Sequence, residues 1–123
     1  MEKVLQYLPH FIVGVGVWTA LNGVLHEIFI LLSDHAKQYD RNLLRLLVDG
    51  LILTFAGTIM IFLFPGLKSG QSIFFIIALI CCITMVIYCA LIWPFLPAYW
   101  IMALHLLSIV LLSYSLITKS VTQ

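Results

Sequence analysis

The sequence predicts an all-α integral membrane protein, an antiparallel four-helix transmembrane bundle with up-down-up-down topology. Two observations carry this prediction. Of the 123 residues, 63% are hydrophobic and 9% are charged, whereas soluble domains are about 45–50% apolar and about 25% charged. In addition, four apolar stretches are each long enough to cross a hydrocarbon core about 30 Å thick. Residues 1–123 are therefore expected to form a single transmembrane domain.

Short polar or Pro/Gly-containing segments separate the four stretches. Helices are required, because transmembrane β-strands would show an alternation of polarity that these stretches lack. Connections this short force consecutive helices to run antiparallel. Asp40 and Ser72 are predicted to cap the N-termini of the second and third helices. The predicted spans are residues 8–33, 43–64, 72–93 and 97–117.

The orientation in the membrane depends on the basic residues, and their distribution is balanced. Three of them fall on each side: Lys3, Lys68 and Lys119 against Lys37, Arg41 and Arg45. The positive-inside rule is therefore tied, and it favours cytoplasmic termini only if Arg45 lies inside its helix. Insertion of copies in both orientations is an alternative. The compact chain with minimal loops is typical of a multi-pass protein of the bacterial cytoplasmic membrane, with both termini on the same side.

Composition and motifs exclude several functions. The net charge is +1 and the basic residues are scattered, so the chain has no basic patch for nucleic acid. Cys81, Cys82 and Cys89 lie in one apolar span without disulfide or zinc spacing, and core packing explains them. Serine-nucleophile, HExxH and phosphate-loop motifs are absent. Glu27 and His26 are suited to acid–base chemistry, but nothing singles out a substrate, and a non-enzymatic role is favoured.

Ionisable residues inside the spans are the strongest functional signal, because each of them is costly to insert. At a rise of 1.5 Å per residue, His26, Asp49 and His105 lie roughly 9–12 Å from the same membrane face. Small and polar residues share a stripe on three of the helices, and such stripes are expected to face the bundle interior. The predicted substrate- or proton-binding cluster consists of His26, Glu27, Arg45, Asp49 and His105, with Asn22 above it and Tyr88 completing the ring.

The first interpretation of this cluster is a site that binds or transports a small solute or a proton. Histidine titrates near neutral pH, and carboxylates such as Glu27 and Asp49 exchange protons or hold cationic solutes. A single four-helix chain encloses little volume, so transport would require a homo-oligomer or a larger membrane complex.

Two other interpretations stay open. In one of them, Arg45 and Asp49 neutralise each other, and the network serves only to select helix partners in a non-catalytic accessory or structural subunit of a larger membrane complex. Alternatively, His26 and His105 could ligate a haem or a metal ion. Their spacing is not specific for either group, so no cofactor is predicted.

Overall fold

The computed structural model of the protein describes residues 2–94 and 98–121, with side chains described for 6–94 and 98–118. Four of its helices are long and apolar enough to span a membrane, and consecutive spans pack antiparallel, which confirms the predicted four-helix bundle. The elements are α1 (Glu2–Leu32), a 3-10 helix (Asp34–Lys37), α2 (Arg41–Phe62), α3 (Phe64–Lys68), α4 (Ser72–Ile92) and α5 (Tyr99–Val121).

The helix ends differ from the predicted ones at the second connection. The segment after α2 was predicted to be a loop but contains α3, because Pro65 suits the first turn of a helix. Gly70 then adopts a φ of 74° in the turn before α4. Ser72 is the first residue of α4 rather than its cap, since the N-cap position falls on Gln71. The capping prediction for Asp40 is confirmed, because its carboxylate accepts a 2.8 Å hydrogen bond from the Leu43 amide.

Glycines bring α1 and α2 into backbone contact. A Cβ placed on Gly16 would lie 2.8 Å from the carbonyl oxygen of Gly57, and a Cβ on Gly57 would overlap the backbone of Gly16 and Ala20. Gly23 of α1 and Gly50 of α2 allow the same close approach at one end of this contact between the two helices. Small residues let membrane helices approach closely without a hydrophobic driving force. The glycines of the predicted stripes on α1 and α2 therefore form a close contact between these two helices, the α1–α2 seam.

The bundle closes as a ring in which α1 contacts α2, α2 contacts α4, α4 contacts α5, and α5 contacts α1. Two buried clusters fill its interior. The larger one lies at the end that holds α3, and the smaller one lies toward the first and third connections. The larger cluster contains Leu8, Ile12, Val15, Met60, Leu63, Leu67, Phe75, Ala78, Cys82 and Leu112. The smaller cluster contains Leu53, Ala56, Met85, Cys89 and Ile101.

The outer surface of the bundle is apolar. Large side chains such as Phe62 and Leu91 are 77% and 72% exposed. A soluble monomer rarely exposes contiguous apolar surface on this scale. The structure therefore supports a multi-pass protein whose helices contact lipid.

Candidate functional site

A polar cleft of about 410 Å³ opens at the end of the bundle that holds the first connection. It lies between α1, the 3-10 helix, the start of α2 and the end of α4. Three of the seven predicted site residues line it: His26, Arg45 and Asp49. The complete lining is His26, Ile30, His35, Asn42, Arg45, Leu46, Asp49 and Ile92.

Tyr88 joins this site through Asp49. Its hydroxyl, on α4, donates a 2.8 Å hydrogen bond to Oδ1 of Asp49 on α2. Both side chains are half-buried. The bond holds one carboxylate oxygen in place at the cleft wall, and it links the α1–α2 pair to the α4–α5 pair. This contact agrees with the expectation that Tyr88 lies level with Asp49.

His26 has a defined hydrogen-bonding role. Its Nε2 lies 3.1 Å from the carbonyl oxygen of Leu46 on α2. Because a carbonyl only accepts hydrogen bonds, we assign the Nε2 proton to this bond, so the neutral ring keeps Nδ1 as an acceptor. His26 and Glu27 both pack on Gly50, where a Cβ would lie 3.3 Å from Cδ2 of His26 and 2.6 Å from Cγ of Glu27. The missing side chain at Gly50 thus makes room for both.

Arg45 and Glu27 differ from the expectation that both face the interior. Arg45 is exposed, although it borders the cleft beside Asp49. A long side chain near a helix end extends its charged group toward water, and the open cleft allows this. Glu27 is half-buried against α2 and is not among the residues that line the cleft.

A second cleft, of about 360 Å³, lies between α1 and the start of α5. Four of its ten lining residues are Trp, Tyr or Phe, and Asn22 and His26 supply polar groups. The Asn22 amide donates a 2.7 Å hydrogen bond to the Trp18 carbonyl oxygen, which leaves its Oδ1 as an acceptor. His26 therefore borders both clefts. The lining is Trp18, Asn22, Leu25, His26, Phe29, Leu53, Ala98, Tyr99, Trp100 and Ile101.

His105 is not brought to either cleft. Its side chain is fully buried, and Nδ1 lies 2.8 Å from the carbonyl oxygen of Ile101 in its own helix. Its Nε2 has no hydrogen-bond partner within the described structure. Haem or metal ligation by His26 and His105 stays an open interpretation. In the described part of the chain, no group of three or more His, Cys, Asp or Glu side chains is placed to hold a metal ion.

Comparison with known proteins identifies no relative: no protein family, curated protein or solved structure matches this chain. Its chemistry must therefore be inferred from its own residues. The polar cleft combines a guanidinium, a carboxylate, an amide and two imidazoles with apolar walls. Such a set can bind both an anionic group and a hydrogen-bond donor of one small molecule.

Sequence reasoning missed two polar residues of the cleft. His35 belongs to the 3-10 helix, and Asn42 lies in the first turn of α2. The sequence places both in the connection between the first two spans, outside the intramembrane residues. The 3-10 helix brings His35 back over the cleft, because Ser33 caps it with a 3.3 Å hydrogen bond from the His35 amide. Ser33 following an apolar span was the available signal for this turn.

Proposed function

We propose that this chain is a membrane protein that binds a small zwitterionic solute in the polar cleft. The supporting observation is that Arg45, Asp49 and His26 line one cavity of about 410 Å³ at one end of the bundle. This volume lies within the range of small-molecule pockets, about 300–1,000 Å³. A further prediction, that the solute or a proton also crosses the membrane, goes beyond binding.

Charge balance favours a zwitterion over a simple ion. Arg45 and Asp49 carry opposite charges, so with neutral histidines the cleft has no net charge. A charge brought to partly apolar surroundings without a partner is costly, so a simple anion or cation would leave one charge uncompensated. A zwitterion presents its anionic group to Arg45 and its cationic group to Asp49. The complex then stays neutral.

The hydrogen bond from Tyr88 supports the same assignment. It orients the Asp49 carboxylate with Oδ1 engaged by α4. A carboxylate accepts several hydrogen bonds, so Oδ2 can still take a donor from an ammonium group. His26 adds an acceptor at Nδ1, and Asn42 adds an amide. The cleft thus holds acceptors for an ammonium group and a guanidinium for an acid group.

Thermal unfolding of the purified protein in mild detergent tests the proposal. The probes are glycine, β-alanine and taurine, and the single-charge controls are acetate and methylammonium. A zwitterion at a free concentration of ten times its Kd should raise the free energy of unfolding by about 1.4 kcal/mol. Asp49→Asn, which keeps an oxygen for Tyr88, should abolish this shift.

The matched control is Asp34→Asn. Asp34 lies in the 3-10 helix, where its exposed carboxylate pairs with Lys37 at 2.6 Å, and it does not line the cleft. This variant should keep the full zwitterion-dependent shift. Equal stabilisation by acetate or methylammonium would count against the proposal, and so would an unchanged shift in Asp49→Asn.

A further inference from the structure

The buried ring of His105 has one nitrogen that the fold does not use. Nδ1 faces the Ile101 carbonyl oxygen at 2.8 Å, so the proton of the neutral ring belongs on Nδ1. Nε2 then carries a lone pair, yet it has no hydrogen-bond partner in the described structure and the side chain is 0% exposed. A buried acceptor without a partner is destabilising. Donation from the other ring nitrogen to a backbone carbonyl is typical of metal-ligating histidines, because it fixes the tautomer that presents a free nitrogen.

Three sulfur-containing residues form a buried stripe on α4, the helix that packs against α5. Cys82, Met85 and Cys89 recur at spacings of three and four, and each is at most 1% exposed. Helical periodicity therefore places them on one buried stripe. Met85 and Cys89 belong to the smaller buried cluster together with Ile101 of α5.

Two contacts fix the level of His105 against this stripe. The Ser108 side chain of α5 lies beside Cys82 of α4, and Ile101 of α5 shares a buried cluster with Met85 and Cys89 of α4. His105 lies three residues before Ser108 and four after Ile101. Because α4 and α5 run antiparallel, the residue of α4 at the same level lies three residues after Cys82 and four residues before Cys89. That residue is Met85. His105, which carries the unused nitrogen, therefore lies level with Met85 on the neighbouring helix.

We propose that His105 Nε2, the Met85 thioether and the Cys89 thiolate bind one copper(I) ion between α4 and α5. Cys89 is chosen over Cys82 because Cys89 shares a buried cluster with Met85 and Ile101, whereas Cys82 belongs to the larger cluster. Binding breaks the Cys89 S–H bond and forms a copper–sulfur bond, and the proton passes to the buffer. Copper enters and stays as copper(I), so no electron is transferred.

Ligand softness and charge both select this ion. Thioether and thiolate ligands favour copper(I) among biological metals. One thiolate neutralises one copper(I), so the buried complex carries no net charge, whereas zinc(II) would leave an uncompensated positive charge inside the membrane. The described residues contain no group of three or more His, Cys, Asp or Glu side chains that could hold a metal ion. The proposed site does not need such a group, because its third ligand is a methionine.

The second cleft, between α1 and the start of α5, approaches this position. Leu53 and Ile101 line that cleft and also belong to the buried cluster with Met85 and Cys89. The part of the cleft wall formed by Leu53 and Ile101 is therefore next to the buried cluster that contains two of the proposed ligands, Met85 and Cys89. The site is separate from the polar cleft, so zwitterion binding and copper binding can fail independently.

Anaerobic competition in mild detergent tests the proposal, with copper(I) supplied as its bathocuproine disulfonate complex. The wild-type chain should withdraw one equivalent of copper, which lowers the absorbance of that complex. Cys89→Ser, Met85→Leu and His105→Leu should each weaken binding at least tenfold. Silver(I), a soft ion of equal charge, should compete for the site, and zinc(II) should not. X-ray absorption should show mixed nitrogen and sulfur ligation.

Cys81→Ser is the matched control, because the Cys81 thiol donates to the Ala56 carbonyl oxygen at 3.7 Å and lies outside the ligand set. It should bind copper as the wild type does. If His105→Leu does not fold, as judged by circular dichroism, the volume-conserving Met85→Leu decides. The proposal is overturned by the absence of copper uptake, by binding that survives in Met85→Leu, or by an equal loss in Cys81→Ser.

Discussion

Replacing Gly57 with alanine should push α1 away from α2. A Cβ at this position would overlap the backbone nitrogen of Ala20 and the carbonyl oxygen of Gly16, and it would lie 2.8 Å from the Cβ of Ala20. Two of these neighbours are backbone atoms of α1, so no side-chain rotation relieves the clash. The helices must separate, which loosens every contact along the seam.

Gly14→Ala in α1 provides the reference, because a Cβ there meets nothing within 4 Å. Both substitutions gain the same intrinsic helix propensity, about 1 kcal/mol, so this contribution cancels in the comparison. The difference in unfolding free energy between the two variants is then the cost of overpacking at Gly57, about 1–3 kcal/mol. Gly57→Ala should therefore lower the free energy of unfolding by about 1–3 kcal/mol relative to Gly14→Ala.

Unfolding in mixed micelles, with increasing SDS and followed by circular dichroism, measures both free energies. Gly14 lies on an exposed face of α1 and Gly57 lies in the α1–α2 seam, and both substitutions add one methyl group. Equal unfolding free energies for the two variants would refute the reasoning that backbone contact at Gly57 holds α1 against α2.

Three further predictions concern single contacts. Asp40→Ala removes the cap of α2 and should cost about 1 kcal/mol, with faster hydrogen exchange at the Leu43 amide; unchanged exchange there would contradict the capping role. Gly70→Ala forces a β-carbon into a backbone with φ of 74° and should cost about 1–2 kcal/mol in the same SDS titration, whereas wild-type stability would argue against that turn. Tyr88→Phe should lose about 1 kcal/mol and weaken zwitterion binding, while Tyr39→Phe, 82% exposed, should change neither quantity; equal behaviour of the two variants would exclude a role for the bond to Asp49.

The sequence predicts some of the geometry of the polar residues, and their role as a binding site stays a prediction. Depth along each helix follows from residue counting, and Asp49 and Tyr88 do meet across α2 and α4. Rotation about the helix axis does not follow from counting. His105 was expected to join the cluster, but its ring is buried and Nδ1 bonds within its own helix. The accessory-subunit interpretation stays a prediction, and stoichiometric co-purification with a larger membrane complex would support it.

Local properties of the sequence determined the four spans, because length, hydropathy and the absence of alternating polarity require no knowledge of distant residues. The Asp40 cap was also readable, since a cap is made within three residues. Only the tertiary structure decided which polar groups share a cavity. That outcome depends on how far each helix rotates to bring Gly16 and Gly23 against Gly57 and Gly50, and on the 3-10 helix that returns His35 to the cleft. These positions result from contacts between helices, which the order of residues along one helix does not specify.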